Sequence, residues 1–255
     1  MYLKKLCAGK ERAMKGLILA AGNGKRLRPL TNTIPKALIP ITGRPLITYP
    51  LLRLKKTGIK DIGIVIRPRD YSIFKSNLKI PGINIKYIFQ KRPQGTARAT
   101  KCAADFLENK RFLLCWCDFL SPFEFGKLIK EHLEFKPTAT ILISKEKDPS
   151  GAGQVLFRGH YITRIVEKPR RKLSSWCLTG LLVLEPEIFS VFEKIKPSAE
   201  GEYYIPDALQ YLIQKDRRIR FTKIDTWRVN INTLADLKLA RAKALRYAKL
   251  PDSLY

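Results

Sequence analysis

Gly22 and Gly24 directly follow a short apolar run. The segment they open, LAAGNGKRLRPLTNTIPKALIPI at 19–41, carries Lys25, Arg26 and Lys36. Glycine tolerates positive φ and lets successive backbone N–H groups converge on an anion, so the pattern suits a phosphate cradle. It is not a P-loop, since Gly-x-x-x-x-Gly-Lys-Ser/Thr is absent, and Leu27 stands where a dinucleotide fingerprint needs its third glycine. Asp118 closes the apolar run RFLLCWCD. An acid at the carboxyl end of a parallel strand lies where ligands of α/β sheets collect. Cys115 and Cys117 flank Trp116 on alternating faces; a metal site needs more ligands than these, so they read as core thiols. His132 and His160 each stand alone, and in a chain this basic the side chains of Lys25, Lys91 and Arg92 read as solvated charges.

These residues must be held by a fold, and composition bounds it. The chain has 255 residues, 45% hydrophobic and 28% charged, ample for one large α/β domain with a sizeable core. Lys plus Arg is 49 against 22 Asp plus Glu, a formal net charge of +27, which predicts attraction to polyanions and says nothing about fold. Five cysteines is an odd number, and without a secretory signal the expectation is a reducing, cytoplasmic setting. No run approaches the roughly 18 apolar residues of a membrane helix. Residues 1–13 read as an extension outside the core, with the domain proper starting at Met14.

The run 16–21 reads as a buried strand. Pro45 to Lys56 reads as a helix with Pro45 near its first position and Gly58 as its stop. Strands are expected at 61–68, 83–90, 111–118 and 138–145, with helices at 96–108 and 123–135 between them. This βαβα order predicts an α/β fold with a Rossmann-like, mostly parallel central sheet flanked by helices. After Lys147, GQVLF, YITRIVEKP and WCLTGLLVLEP read as short strands of a small β-rich lobe, followed by helices near 204–215 and 234–249. The last helix carries Lys238, Arg241, Lys243, Arg246 and Lys249, with Leu237, Ala240, Ala244 and Ala248 on its other side. That basic face is expected to be solvated, or to bind an anionic surface weakly.

The string 19–41 resembles the signature of the sugar-1-phosphate nucleotidyltransferases, L-A-A-G-x-G-x-R-L-x-P-L-T-x-x-x-P-K-x-L-x-P-I, and meets every fixed position of it. The resemblance continues through GRPLITYPL, through Gln90 and Gly95 in FQKRPQGTARA, and through Asp118, Glu167-Lys168-Pro169, Thr179-Gly180 and Gly201-Glu202. It ends in TWRVNINTLADL.

It implies transfer of a nucleotidyl group from a nucleoside triphosphate to a sugar 1-phosphate with release of pyrophosphate, assisted by Mg²⁺. Residues 14–250 would form a single domain, with a nucleotide-binding half at 14–147 and a sugar-phosphate half, the β-rich lobe, at 148–250. Arg26, Lys36 and Asp118 would be catalytic. Leu19, Ala21, Gly22, Asn23, Gly24, Lys25, Gln90, Gly95 and Thr96 would bind the nucleotide, with Gln90 and the Gly95 backbone on the base edge. Gly153, Glu167, Lys168 and Gly180 would bind the sugar phosphate. Asp118 and Asn230 would hold the metal.

The chain departs from the family at four places. Asn230 replaces a second metal aspartate, Trp227 sits one residue further from it than usual, Cys117 stands where glycine commonly precedes the aspartate, and Pro206 replaces a polar residue. No hexapeptide repeat follows, so the expectation is a stand-alone transferase, with homo-oligomerisation left open. Two alternatives stay open: a cytidylyltransferase acting on a polyol or alcohol phosphate, and a non-catalytic pyrophosphorylase-like regulatory subunit. Retention of Arg26, Lys36 and Asp118 favours catalysis, and a nucleic-acid-binding reading rests on charge alone.

Overall fold

The computed structural model describes residues 14–248, so the expected extension at 1–13 and Lys249 lie outside the described residues. The first strand, β1 (Lys15–Leu19), is apolar from Gly16 onward because both its faces are covered. Leu17 enters the core on one side of the sheet and Ile18 the core on the other. A two-residue hairpin, β2 (Pro40–Ile41) with β3 (Arg44–Pro45), follows the glycine loop. Its turn uses Thr42 and Gly43 at φ 47° and 81°. Pro45 therefore ends a strand instead of opening a helix, and α1 (Thr48–Lys56) starts three residues later than expected. Next come β4 (Asp61–Ile66), α2 (Tyr71–Asn77), β5 (Asn84–Phe89), α3 (Gly95–Lys101) and β6 (Phe112–Trp116). The expected helix at 96–108 breaks at Cys102 and Ala103, with a separate turn at Ala104–Leu107.

The second half supplies β7 (Phe119–Leu120), α4 (Phe125–Phe135), β8 (Ala139–Lys145), β9 (Gly153–Arg158), β10 (Tyr161–Glu167) and β11 (Trp176–Leu184). It closes with α5 (Ile205–Ile213), β12 (Ile219–Lys223), β13 (Val229–Asn230) and α6 (Leu234–Ala248). The main sheet has nine strands in the order β5-β4-β1-β6-β11-β8-β12-β10-β9. Strands β5, β4, β1 and β6 run parallel, as the βαβ order predicts. The mostly parallel expectation fails beyond β6. There β11 inserts between β6 and β8, antiparallel to both, and β9 and β10 add antiparallel strands. Only β12 returns to parallel pairing, on β8. The sheet is therefore mixed, and the β-rich strands extend it instead of forming a separate lobe.

Three features of this arrangement position a site. The carboxyl ends of β1 and β6 lie side by side, since Leu19 pairs with Trp116, so the glycine loop and Asp118 open at one edge. The short β7–β13 pairing, with Ile231 N–H donating to the Asp118 carbonyl at 2.8 Å, draws the segment after residue 229 onto Asp118. Helix α6 then packs Leu237, Ala240 and Ala244 into a third core with Ile41, Leu46, Leu120 and Ile231.

Candidate active site

A cavity of about 370 Å³ opens where β1 and β6 end. Its wall includes Leu19, Ala21, Gly22, Gly24, Lys25, Arg26 and Lys36, then Gln90, Gly95, Thr96, Asp118 and Glu167. At its centre Lys36 Nζ donates to Asp118 Oδ2 at 3.2 Å and to Asn232 Oδ1 at 3.3 Å. Arg26 Nη2 donates to the same Asn232 oxygen at 2.9 Å. Two cations thus converge where one carboxylate balances them, a local excess of positive charge that favours a polyanion. The second carboxylate oxygen, Asp118 Oδ1, is buried with no hydrogen-bond partner.

Asn230 is the residue expected to hold the metal with Asp118. It lies within β13, opposite Phe119, off the cavity wall, and its Oδ1 accepts from Arg228 Nη1 at 3.0 Å. The amide that shares the Lys36 ammonium with Asp118 is that of Asn232. A capping box fixes its backbone: Asp236 Oδ2 accepts from the N–H groups of Asn232 and Thr233 at 2.9 and 2.7 Å, while Asp236 N–H donates to Thr233 Oγ1 at 3.2 Å. The sequence carries that signal as Thr233-Leu234-Ala235-Asp236.

In the glycine loop, Gly24 holds φ 60°, and a Cβ there would lie 2.8 Å from Thr31 Cγ2. Asn23 turns away from the cavity, accepting from Arg67 Nη1 at 3.0 Å, and Arg67 is itself paired with Asp70 at 2.6 Å. On the next wall Gln90 is buried, its Nε2 within 3.5 Å of the Gly95 carbonyl. Thr96 Oγ1 accepts from Ile205 N–H at 3.0 Å, and Tyr203 bridges Gln94 and Ala97 through its backbone, so α3 is stitched to the segment entering α5.

The far wall is acidic and aromatic. Glu167 ends β10 opposite Gly153, where a Cβ would lie 2.8 Å from Glu167 Oε2; Gly153 leaves room for the carboxyl without lining the cavity. Burial above all pushes the Glu167 carboxyl up to about 7; Asp207 and Glu202 add to the rise and Lys168 opposes it. Lys168, at φ 41°, reaches Tyr204 Oη at 3.2 Å and lies over its ring at 4.8 Å. Its side chain faces an adjoining cavity that it shares with Glu167, Tyr204 and Asp207. Gly180, also off the main wall, backs Trp116. Sequence reasoning missed Trp116, Tyr204 and Asn232 as wall residues.

Cys117 is buried and its thiol is pushed up to about 12, first by burial and then by Asp118, which leaves it protonated and unreactive. His132 is buried between Thr140 Oγ1 and Glu185 Oε1, and burial lowers its pKa, a structural arrangement. Among the described residues no group of three or more His, Cys, Asp or Glu side chains could hold a metal, and no helix is long and apolar enough to cross a membrane.

Residues 15–236 match the family described as Nucleotidyl transferase. The low-salt glycan biosynthesis nucleotidyltransferase Agl11 of Haloferax volcanii is 31% identical over 219 residues; the match covers 84% of this chain and 61% of that protein. A glucose-1-phosphate thymidylyltransferase of Neisseria meningitidis is 35% identical over 199 residues, covering 76% and 69%. The UTP–glucose-1-phosphate uridylyltransferase AglF of Haloferax volcanii is 30% identical over 222 residues, covering 86% and 91%. The chain therefore spans less than two thirds of the first of these and most of the last. Among solved structures, UDP-glucose pyrophosphorylase complexed with UDP-glucose superposes with a TM-score of 0.84 over 91% of this chain and 98% of that one. At 24% identity, that likeness speaks to the fold alone.

Proposed function

This chain belongs to the nucleotidyl transferase family, and from that premise we propose that it joins a nucleoside triphosphate to a sugar 1-phosphate, giving a nucleoside-diphosphate sugar and pyrophosphate. The observation that carries the reading is the interlocked set Arg26, Lys36, Asp118 and Asn232, set in one cavity with the glycine loop, Gln90 and Glu167.

An oxygen of the sugar phosphate attacks the α-phosphorus in line as the bond from that phosphorus to the bridging β-oxygen breaks, and the electron pair leaves with pyrophosphate. The reaction brings two polyanions together, so its barrier is largely electrostatic and positional. Lys36 neutralises charge developing at the α-phosphate, and Arg26, with its planar fork, holds the departing pyrophosphate. Backbone N–H groups of Gly22 to Lys25 cradle the outer phosphates. Gln90 and the Gly95 backbone read the base edge. Lys168, steadied by Tyr204, takes the sugar phosphate, and Glu167 takes a sugar hydroxyl.

Asp118 and Asn232 would hold Mg²⁺. The buried, unpartnered Asp118 Oδ1 and a neighbouring amide oxygen are hard donors, and Mg²⁺ needs only one or two protein oxygens when phosphates and water complete its shell. When bound, the ion would offset phosphate charge at the reacting centre. The setting is cytosolic, where nucleotides are plentiful. A screen of pyrophosphate release for several nucleotides against a panel of sugar phosphates, with Mg²⁺, tests the reading; release from at least one pair supports it, and none from any pair overturns it.

A further inference from the structure

Besides Asp118 Oδ1, two buried polar atoms of the cavity's wall residues have no partner: the indole Nε1 of Trp116 and Oε2 of Glu167. The first can only donate a hydrogen bond, and a carboxylate oxygen can accept one. A hydroxyl-bearing ligand supplies both complements, since each hydroxyl accepts and donates.

The indole is deliberately seated. It follows Phe112 and Leu114 on the same face of β6; those two are fully buried in the core, whereas Trp116 lines the cavity two residues before Asp118. Gly180 backs it from β11, at φ 88° and where that strand's register with β8 is interrupted. A Cβ at Gly180 would lie 2.4 Å from Cε3 and 2.5 Å from Cδ2 of the indole. The strand backbone therefore supports the ring carbons, with nothing bonded to the N–H. A leucine would fill an apolar wall without burying an unsatisfied donor, which is costly. An aromatic face with one polar handle, in the same cavity wall as a buried carboxyl oxygen, is a surface for a polyhydroxylated ring.

We infer that Trp116 is a specificity-determining residue for the acceptor: its Nε1–H donates to a hydroxyl of the sugar phosphate, and its ring covers the sugar's apolar face beside Glu167. The identity of the acceptor rests on the reaction proposed above. A site that hydrogen-bonds a hydroxyl rejects an analogue lacking it, because its own buried group is left unpaired.

The test is calorimetric binding of glucose, galactose and mannose 1-phosphates, with and without a non-hydrolysable nucleotide analogue. The proteins are the wild type, Trp116→Phe and Trp116→Leu, and the best ligand is re-measured as its deoxy analogues. UTP and dTTP affinities of the same proteins report on folding and on the nucleotide side. Trp116→Phe should weaken sugar-phosphate binding roughly tenfold and Trp116→Leu further, with nucleotide affinity unchanged. One deoxy analogue should lose affinity against the wild type but not against Trp116→Phe. Unchanged sugar-phosphate affinity in Trp116→Phe, or an equal loss for nucleotide, overturns the inference. If no hexose 1-phosphate binds the wild type, this inference and the proposed reaction both fall. If one binds and Trp116→Phe weakens it while no pyrophosphate is ever released, only the proposed reaction falls.

Discussion

Asn230 and Asn232 present the sharpest contrast among single residues, because two asparagines two positions apart are assigned different tasks. Asn232 shares its oxygen with Lys36 and Arg26, whereas Asn230 is held by Arg228. Asp118→Asn should nearly abolish turnover, removing the carboxylate paired with Lys36, and Asn232→Ala should raise the Mg²⁺ requirement by roughly 10- to 100-fold. Asn230→Ala should leave that requirement close to wild type. Activity against Mg²⁺ concentration checks all three, and a larger effect at Asn230 than at Asn232 would reverse the assignment. Glu167 offers a pH test. Its folded pKa is raised from 4.5 to about 7, so the folded state holds this proton more tightly than the unfolded chain does. The associated stability is present below 4.5 and lost as pH rises through about 7. Thermal unfolding of the wild type and of Glu167→Gln across that window should show the wild type losing ground relative to the variant as pH rises. Parallel curves would mean that the carboxyl is not held in a desolvated site.

The element that joins the two sides of the cavity is the start of α3. Gly95 sits at φ 87°, where a Cβ would come within 2.4 Å of the Tyr203 carbonyl oxygen and 2.7 Å of its nitrogen. Gly95→Ala should cost about 2 to 4 kcal/mol through left-handed strain and a backbone clash together. Gly22→Ala, with negative or extended φ and nothing within 4 Å of the added carbon, should unfold as the wild type does. Melting temperatures decide this, and equal losses at the two positions would contradict the geometry. The parallel half of the sheet was legible because β4 and β6 and the Gly16–Leu19 stretch of β1 read as apolar runs covered on both faces, and the edge strand β5 reads by its alternation. The insertion of β11 between β6 and β8 was not, because a strand's apolar pattern shows that it is buried without showing which neighbours it pairs with. Strand β12 escaped notice because Arg220 and Lys223 interrupt its apolar pattern; Arg220 is buried against Glu131 and the Phe135 ring. Arg26, Lys36, Gly24 and Asp118 were legible as a string and a strand end. Asn232 was not legible as a wall residue, because its placement depends on the Thr233–Asp236 capping box that fixes its backbone.

Across the whole molecule the net charge of +27 far exceeds what Arg26, Lys36 and Lys168 can use at one site. On α6, Arg241 donates to the Pro40 carbonyl at 3.0 Å, while Lys238 and Arg246 stay exposed beside the exposed Leu239 and Leu245. Retention on anionic vesicles or on RNA should be measurable at low ionic strength and vanish towards roughly 1 M salt, where the Debye length falls to about 3 Å. No retention at low salt would leave α6 as a solvated face over the third core. The same positive field bears on the reaction, which asks the chain to gather two polyanions at Arg26 and Lys36. Removing either cation should lower turnover roughly 10²-fold or more while the fold persists, since each stabilises charge near the reacting phosphates. The most direct measurement is pyrophosphate release by the wild type, Arg26→Ala and Lys36→Ala, with the sugar phosphate and nucleotide that the wild type uses best. Turnover by the wild type and its collapse in both folded variants is the predicted result; near-normal turnover in both variants would contradict the mechanism.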